Sequence, residues 1–325
     1  MTDAWGMAQR QSMRAPFLSL LFLLAGPPGL SAAPVCASHE VAVEVLGSGG
    51  PMHAGGRGGS AYLLWVHHKP VLAVDMGGDT PAKLSAAGVE AGTLPLVLIS
   101  HLHPDHISGL ADFLWSEINA PRKAPLMLAG PEGGGDGFPA IADFLHRSFD
   151  KGGLYPRMAG LFDGSAFPLR VQTLPPKGET NVANDLGLSV SAYGVDHGPA
   201  PALAYRVMGS GFSIVFGGDQ TYGDPGFGRF AAGADLVILH AMLTDKAKGD
   251  ALTRSVGLPE DLGARAKEAN PKRLVLSHLM GAPDGSANRN LWSLSDLAGV
   301  KKRVAEFYAG PIALAQDGSC YAVGK

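Results

Sequence analysis

Cysteine is almost absent from this chain: 325 residues hold only Cys36 and Cys320. Neither stands beside a histidine-rich stretch, so neither is a candidate metal ligand. In an oxidising compartment the pair could tie the chain ends together as a disulfide, and two separate thiols are the alternative. An excess of charge is missing as well. Lys and Arg number 26 against 29 Asp and Glu, a formal net charge of -3. A duplex or tRNA binder ordinarily carries a basic excess or stripe. Its absence argues against nucleic acid as an obligate partner, while small anionic substrates stay open. The apolar run near the N-terminus is about half of the ~20 residues that cross a bilayer, which makes a permanent membrane anchor the weaker reading. Repeats and long low-complexity linkers are also lacking.

What the chain does have begins with an export-like segment. Arg10 and Arg14 precede the apolar run from Pro16 to Ala25, and small residues follow through Ala33. A basic flank, a short apolar stretch and a small-residue exit are the parts of a signal peptide. Residues 1–33 are therefore expected to be removed, leaving 38–325 as one folded domain in a secreted or periplasmic protein with no stable membrane span. Pro34 disfavours a cut after Ala33, and a cut after Ala37 would remove Cys36. Glycine is plentiful, at 45 residues, and suits a fold with many tight turns around a site.

The mature part reads as two strand-rich halves, each followed by helices. Strands are predicted at Val41–Leu46, Ser60–Val66, Val71–Asp75 and Leu96–Ser100, then a helix over Ile107–Asn119. A second series covers Leu188–Tyr193, Ala202–Val207, Phe212–Phe216, Leu236–His240 and Arg273–Ser277, with helices at Pro259–Glu268 and Leu291–Phe307. Residues 121–182 read as an elaboration over a site mouth. Two sheets face to face with helices outside make a single four-layer αββα domain of the α/β class.

The decisive segment is Leu98-Ile-Ser-His101-Leu-His103-Pro-Asp105-His106. Residues two apart in extended backbone point the same way, so His101 and His103 can reach one ion together. Asp105 and His106 begin the next helix and can turn toward a second ion; Asp105 could also cap that helix. An exposed loop with coincidental histidines is a poor account of three histidines and an aspartate in six residues directly after an apolar strand.

This segment resembles the HxHxDH motif of the metallo-β-lactamase superfamily, and four further motifs follow the family's order. Asp75 in Val71-Leu-Ala-Val-Asp75 resembles the first, His197 in Val195-Asp-His197-Gly-Pro the third, Asp219 in Gly-Gly-Asp219 the bridging carboxylate, and His278 in Val-Leu-Ser-His278 the final ligand. The resemblance implies two divalent cations, zinc first, with manganese or iron compatible with such donors. One would take His101, His103 and His197, the other Asp105, His106 and His278, with Asp219 shared. Two cations ~3.5–4 Å apart lower the pKa of a shared water toward ~7, so hydroxide replaces a side-chain nucleophile. Asp105 and Asp75 are then candidate catalytic residues, Asp75 as the group that orients a ligand imidazole or the water. Taken singly, Asp75 and Asp219 could be turn residues, and His197 and His278 ordinary half-buried histidines.

His240 ends the stretch Leu236-Val-Ile-Leu-His240 and is a third catalytic candidate, as proton donor to a leaving group; a core histidine bonded to backbone is the equal alternative. His39, His53, His67, His68 and His146 carry no spacing signal and read as surface or loop residues. The third-motif region and the opening Leu46-Gly-Ser-Gly-Gly-Pro51 are most similar to the branch containing ribonuclease Z and arylsulfatase-like proteins. That enzyme's His-Glu-Ala-Thr signature is replaced here by Ile238-Leu-His240-Ala-Met. Residues 121–182, where it carries a tRNA-gripping arm, hold seven Lys or Arg against six Asp or Glu. The expectation is hydrolysis of a small-molecule ester, phosphodiester first, then sulfate or carboxylic ester. The alternatives are ribonuclease Z-type 3′-tRNA processing and metal binding without turnover.

Overall fold

The computed structural model describes residues 36–52, 55–135, 137–280 and 296–324. The export-like segment 1–33, His53 and the first residues of the Leu291–Phe307 helix lie outside the described residues. The first half runs β1 (Val41–Gly47), β2 (Ala61–Val66), β3 (Lys69–Val74), α1 (Thr80–Ala86), β4 (Leu96–Leu98), α2 (Pro104–Ile107), α3 (Leu110–Asn119), β5 (Leu126–Pro131), α4 (Ile141–Phe149), α5 (Gly160–Asp163) and β6 (Leu169–Leu174). The second runs β7 (Glu179–Asn181), β8 (Ser189–His197), β9 (Ala200–Gly209), β10 (Phe212–Phe216), α6 (Pro225–Phe230), β11 (Leu236–His240), α7 (Pro259–Ala269), β12 (Arg273–Ser277), α8 (Leu297–Ala305), β13 (Ile312–Leu314) and β14 (Cys320–Ala322).

These strands form two seven-stranded sheets, ordered β14-β1-β2-β3-β4-β5-β6 and β13-β12-β11-β10-β9-β8-β7. Successive side chains of a strand face opposite sides, and that alternation separates the cores. Val43, Val45, Tyr62, Leu64, Leu72 and Leu98 point between the sheets to meet Leu203, Tyr205, Ile214, Phe216, Ile238 and Val275. Their neighbours Leu46, Leu63 and Trp65 point outward onto Leu110, Phe113, Leu114, Ile141 and Phe149. On the other sheet Val215, Val237 and Leu239 pack under Phe227, Leu262, Val300 and Val304. Helix, sheet, sheet, helix: this is the four-layer αββα architecture.

Residues 121–182 differ from the expected elaboration. They supply β5 and β6, paired parallel to complete the first sheet, and β7 at the far edge of the second. Leu126–Pro131 is a buried interior strand, whereas Leu169–Leu174 and Glu179–Asn181 are edge strands with exposed positions. The expected helix Ile107–Asn119 is two pieces parted at Ser108-Gly109. Gly109 lies so close to the turn after β3 that a Cβ there would come within 2.5 Å of the Gly77 carbonyl oxygen, and its N–H donates to Met76 O at 2.8 Å. Asp105 does not cap: His103 is the N-cap residue, with Pro104 in the first turn and no side-chain cap hydrogen bond. Cys36 and Cys320 form the disulfide, joining the start of β1 to the β14 edge it pairs with.

β3-β4-β5-β6 and β10-β11-β12-β13 are parallel runs. Binding sites in parallel sheets form beyond the carboxyl ends of the strands. Asp75, His101, Asp219 and His278 each follow such an end, and His240 is the last residue of one.

Candidate metal centre

The β3, β4, β10, β11 and β12 ends converge from both sheets on one cluster. His101, His103 and His197 form a first group of donors, and His106, Asp219, His240 and His278 a second, each close enough to share an ion. In the first, His103 Nδ1 lies 2.9 Å from His101 Nε2 and 3.2 Å from His197 Nε2. In the second, His106 Nε2 and His278 Nε2 are 3.1 Å apart, and Asp105 Oδ2 is 3.0 Å from His278 Nε2. Donors sharing one tetrahedral ion at ~2.0–2.1 Å would stand roughly 3.3 Å apart. Asp219 spans both groups: Oδ2 is 3.7 Å from both His197 Nε2 and His106 Nε2, and Oδ1 is 3.4 Å from His278 Nε2.

The backbone near this cluster is under constraint. Asp75 and His278 hold φ of 62° and 57°, a left-handed region that non-glycine residues seldom occupy and that tends to mark functional sites. Gly77 and Gly59 press on the metal loop: a Cβ at either would come within 2.3 or 2.6 Å of the Asp105 carbonyl oxygen. At Gly50 a Cβ would come within 2.7 Å of the His278 ring. Glycine is required at these approaches because the candidate donors are seated directly on turns.

Outer partners aim the rings. Asp75 Oδ2 contacts His106 Nδ1 at 2.8 Å and accepts from Ser100 Oγ at 2.9 Å, while Oδ1 accepts from Ser100 N at 2.7 Å. His197 Nδ1 donates to Ser255 O at 2.7 Å. Each contact turns Nε2 inward, the orientation that ligating histidines require. Asp75 thus touches a ligand ring rather than the donor cluster itself. Burial and the neighbouring imidazoles, His106 first among them, push His101 well below its ordinary value, and burial with His197 lowers His103. Both therefore stay neutral. Burial would raise Asp219 and Asp105. His278 and His106 outweigh it at Asp219, holding that carboxyl well below its usual range, and His106 with His278 bring Asp105 down to about 2. Burial would lower His106, but Asp75, Asp219 and Asp105 prevail and raise it far above 6.5.

Divalent cations fit this set. Inward nitrogens face one another where neutral rings cannot all donate, and three buried or nearly buried carboxylates leave negative charge for a cation to offset. His278 Nδ1 is buried without a hydrogen-bond partner among the described residues.

His240 is placed differently from a donor poised over a leaving group. It is buried, its Nδ1 donates to Asp219 Oδ1 at 2.6 Å, and its Nε2 is 3.0 Å from Tyr62 Oη. Leu236, Ile238 and His240 share the inward face of β11, which aims the ring between the sheets. Burial lowers its pKa to about 4. Sequence reading missed Tyr62, whose Oη also bonds Ser277 Oγ at 2.8 Å, and Ser100. Ser100 carried a signal, as the inward-facing residue before His101; Tyr62 carried none. It also missed Phe138, whose ring meets His103 edge-on, with centroids 5.6 Å apart. His39, His67, His68 and His146 lie outside the cluster.

Comparison with known proteins identifies the family and the fold. Residues 75–279 match the family described as the beta-lactamase superfamily domain. Ribonuclease Z of Mycolicibacterium paratuberculosis (strain ATCC BAA-968 / K-10) is 29% identical over 252 residues, covering 74% of this chain and 87% of that protein. Among solved structures, the metallo-beta-lactamase fold protein YhfI of Bacillus subtilis superposes with a TM-score of 0.66 at 21% identity, over 86% of this chain and 98% of the other. The short form of human tRNase Z gives 0.64 at 22% identity, over 87% and 100%. These findings overturn the argument against nucleic acid as a partner: the mycobacterial relative is a ribonuclease by name and the human neighbour a tRNase. A near-neutral total hides how charge is distributed over a surface, and distribution is what an RNA meets.

Proposed function

The chain belongs to the beta-lactamase superfamily and is a metal-dependent hydrolase, and from that premise we propose that the bond it cleaves is a phosphodiester, RNA included. The observation that carries this reading is Asp219, which lies between two donor groups and within reach of both. A paired-cation site suits a diester with a charged phosphoryl oxygen. Two divalent ions, zinc by donor type, supply Lewis acidity and make water acidic enough to attack at neutral pH. The protein's own residues do the rest. His101, His103 and His197 would hold the outer ion and His106, His278 and Asp105 the inner, with Asp219 within reach of both groups. Asp75 orients His106 through Nδ1. Asp105 Oδ2 lies 3.0 Å from His278 Nε2 and 3.5 Å from His106 Nε2, and its ionised carboxylate would help hold the inner ion and orient a water there.

For His240 we assign a positioning role. Its Nδ1–H fixes Asp219 Oδ1 while Tyr62 secures the other ring nitrogen. His240→Ala should then lower ion content and slow good and poor leaving groups alike. A selective loss for poor leaving groups at full ion content would instead make it a proton donor.

The test is purified protein reconstituted with Zn2+ or Mn2+ and assayed on bis(p-nitrophenyl) phosphate, a precursor tRNA, an aryl sulfate, a lactone and nitrocefin. Turnover of the diester, the RNA or both supports the reading. Turnover confined to the sulfate or lactone overturns it, and two bound ions without turnover on any substrate would leave a binding protein. RNA 3′-end processing is the second reading, favoured by the ribonuclease Z relative that shares most of its length with this chain, and it would require that the chain not be exported. Export belongs to the proposal too. The Cys36–Cys320 disulfide supports an oxidising compartment, and it requires a mature N-terminus before Cys36, which intact mass would reveal.

A further inference from the structure

We propose that Asp317 is the positioning residue for His278, acting through the glycine-rich loop between β1 and β2 that it clamps. The inference deepens the paired-ion reading of the centre and rests on it. His106 and His197 are each aimed by a contact at Nδ1. His278 is not: its Nδ1 is buried with no hydrogen-bond partner among the described residues, and its backbone holds φ of 57°. A ligating imidazole needs its ring fixed from behind, so another contact must do for His278 what Asp75 does for His106.

The loop provides that contact. Ser48 O accepts from Leu279 N at 2.8 Å, and Gly49 bridges to Leu279, which pins the backbone beside His278. Gly50 then lies against the ring, so close that a Cβ there would come within 2.7 Å of it. The returning limb of the same loop backs the other side of the inner group, where a Cβ at Gly59 would come within 2.6 Å of the Asp105 carbonyl oxygen. Two limbs of one loop thus seat His278 and Asp105. Glycine backbone has wide conformational freedom and no side chains to anchor it, so the loop must be held from outside.

Asp317 holds it. Oδ1 accepts from Ser48 N at 2.9 Å and from Ser48 Oγ at 2.6 Å. Oδ2 accepts from Gly58 N at 2.8 Å and pairs with Lys83 Nζ. Both limbs are therefore tied to a single carboxylate, and bonds to an ionised acceptor are roughly twice as strong as neutral ones. Burial would raise this carboxyl, but Gly58 N–H, Lys83 and Ser48 outweigh it and hold it below its ordinary value. The clamp is charged at neutral pH. Arg57 adds a second tie, with Nη1 donating to Ser48 Oγ at 2.6 Å and to Ala315 O at 2.7 Å. Ala315 and Asp317 lie between β13 and β14, where the chain crosses from the edge of one sheet to the edge of the other. The clamp thereby sets the loop against both sheets, the same two that deliver the inner donors.

The test uses the full chain loaded with Zn2+. His278→Ala and His103→Ala mark which ion is the inner and which the outer. Asp317→Asn keeps the shape of the side chain, but an amide accepts on one side only, so Ser48 or Gly58 loses its acceptor. Gly50→Ala leaves Asp317 intact and pushes a methyl group at the His278 ring. The affinity of each ion is read by competition with a chromogenic chelator, and circular dichroism shows that each variant is folded. Asp317→Asn and Gly50→Ala should each weaken the inner ion about 10-fold and leave the outer unchanged. Wild-type affinities in Asp317→Asn overturn the proposal, and so does equal weakening of both ions, the mark of a general support of the fold. Wild-type affinities in Gly50→Ala overturn it as well, because the loop would then not aim the ring. A wild-type chain that binds no ions sinks the paired-ion reading itself, and the clamp with it.

Discussion

The two donor groups of the centre share Asp219 but differ in their surroundings. His106, His278 and Asp219 are buried, with Asp75 and Ser100 bonded behind His106 and with His240, Tyr62 and Ser277 bonded in turn behind Asp219. His103 of the other group is half-exposed and meets Phe138, while His197 is steadied by a backbone carbonyl. The inner group is therefore preorganised by side chains drawn from both sheets, whereas the outer combines buried His101 and His197 with His103 at the mouth. A buried charged site must be satisfied on every side because water cannot help. A site at the mouth must leave room for substrate.

The largest expected effect removes the element the two groups share. Asp219→Ala should lose at least one ion and reduce turnover by about 10³-fold, measured by elemental analysis and initial rates; unchanged ion content would contradict its joining role. Graded chelation tests the contrast directly. Dialysis against a weak chelator should strip one ion well before the other, and His103→Ala should abolish the early phase alone. Simultaneous loss of both ions would erase the distinction. Asp75→Asn should weaken the inner ion by about 10–100-fold through His106, while the outer ion holds; equal weakening of both would mean that Asp75 supports the whole cluster. Tyr62→Phe should cost about 1–3 kcal/mol of stability in denaturant unfolding, since it leaves buried partners unpaired. The smallest effect is at the mouth. Phe138→Ala should raise KM for aryl or RNA substrates several-fold, the scale of one aromatic contact of about 0.5–1.5 kcal/mol, with kcat little changed. A matching change for a small alkyl diester would deny the ring a role in substrate contact.

Much of this was legible from residue order. Strands such as Phe212–Phe216 and Leu236–His240 announce themselves as short apolar runs, and the histidines after Ser100 follow one directly. The bounds of β6 were not legible, because a half-buried edge strand such as Leu169–Leu174 mixes exposed and buried positions. The break at Gly109 was hidden for another reason: it comes from contact with Gly77, more than thirty residues earlier. Net charge misled about nucleic acid because it sums over the chain and says nothing of place.

The chain alone determined which chemistry is available, since imidazoles and carboxylates spaced after apolar strands have few uses besides gripping cations, and spacing is a local property. Only the tertiary structure decided which donors share an ion, that Tyr62 and Asp219 enclose His240, and that Cys36 meets Cys320. Those outcomes depend on two sheets closing over one core. The packing that brings residues some two hundred positions apart into contact is a property of the whole fold and of no segment within it.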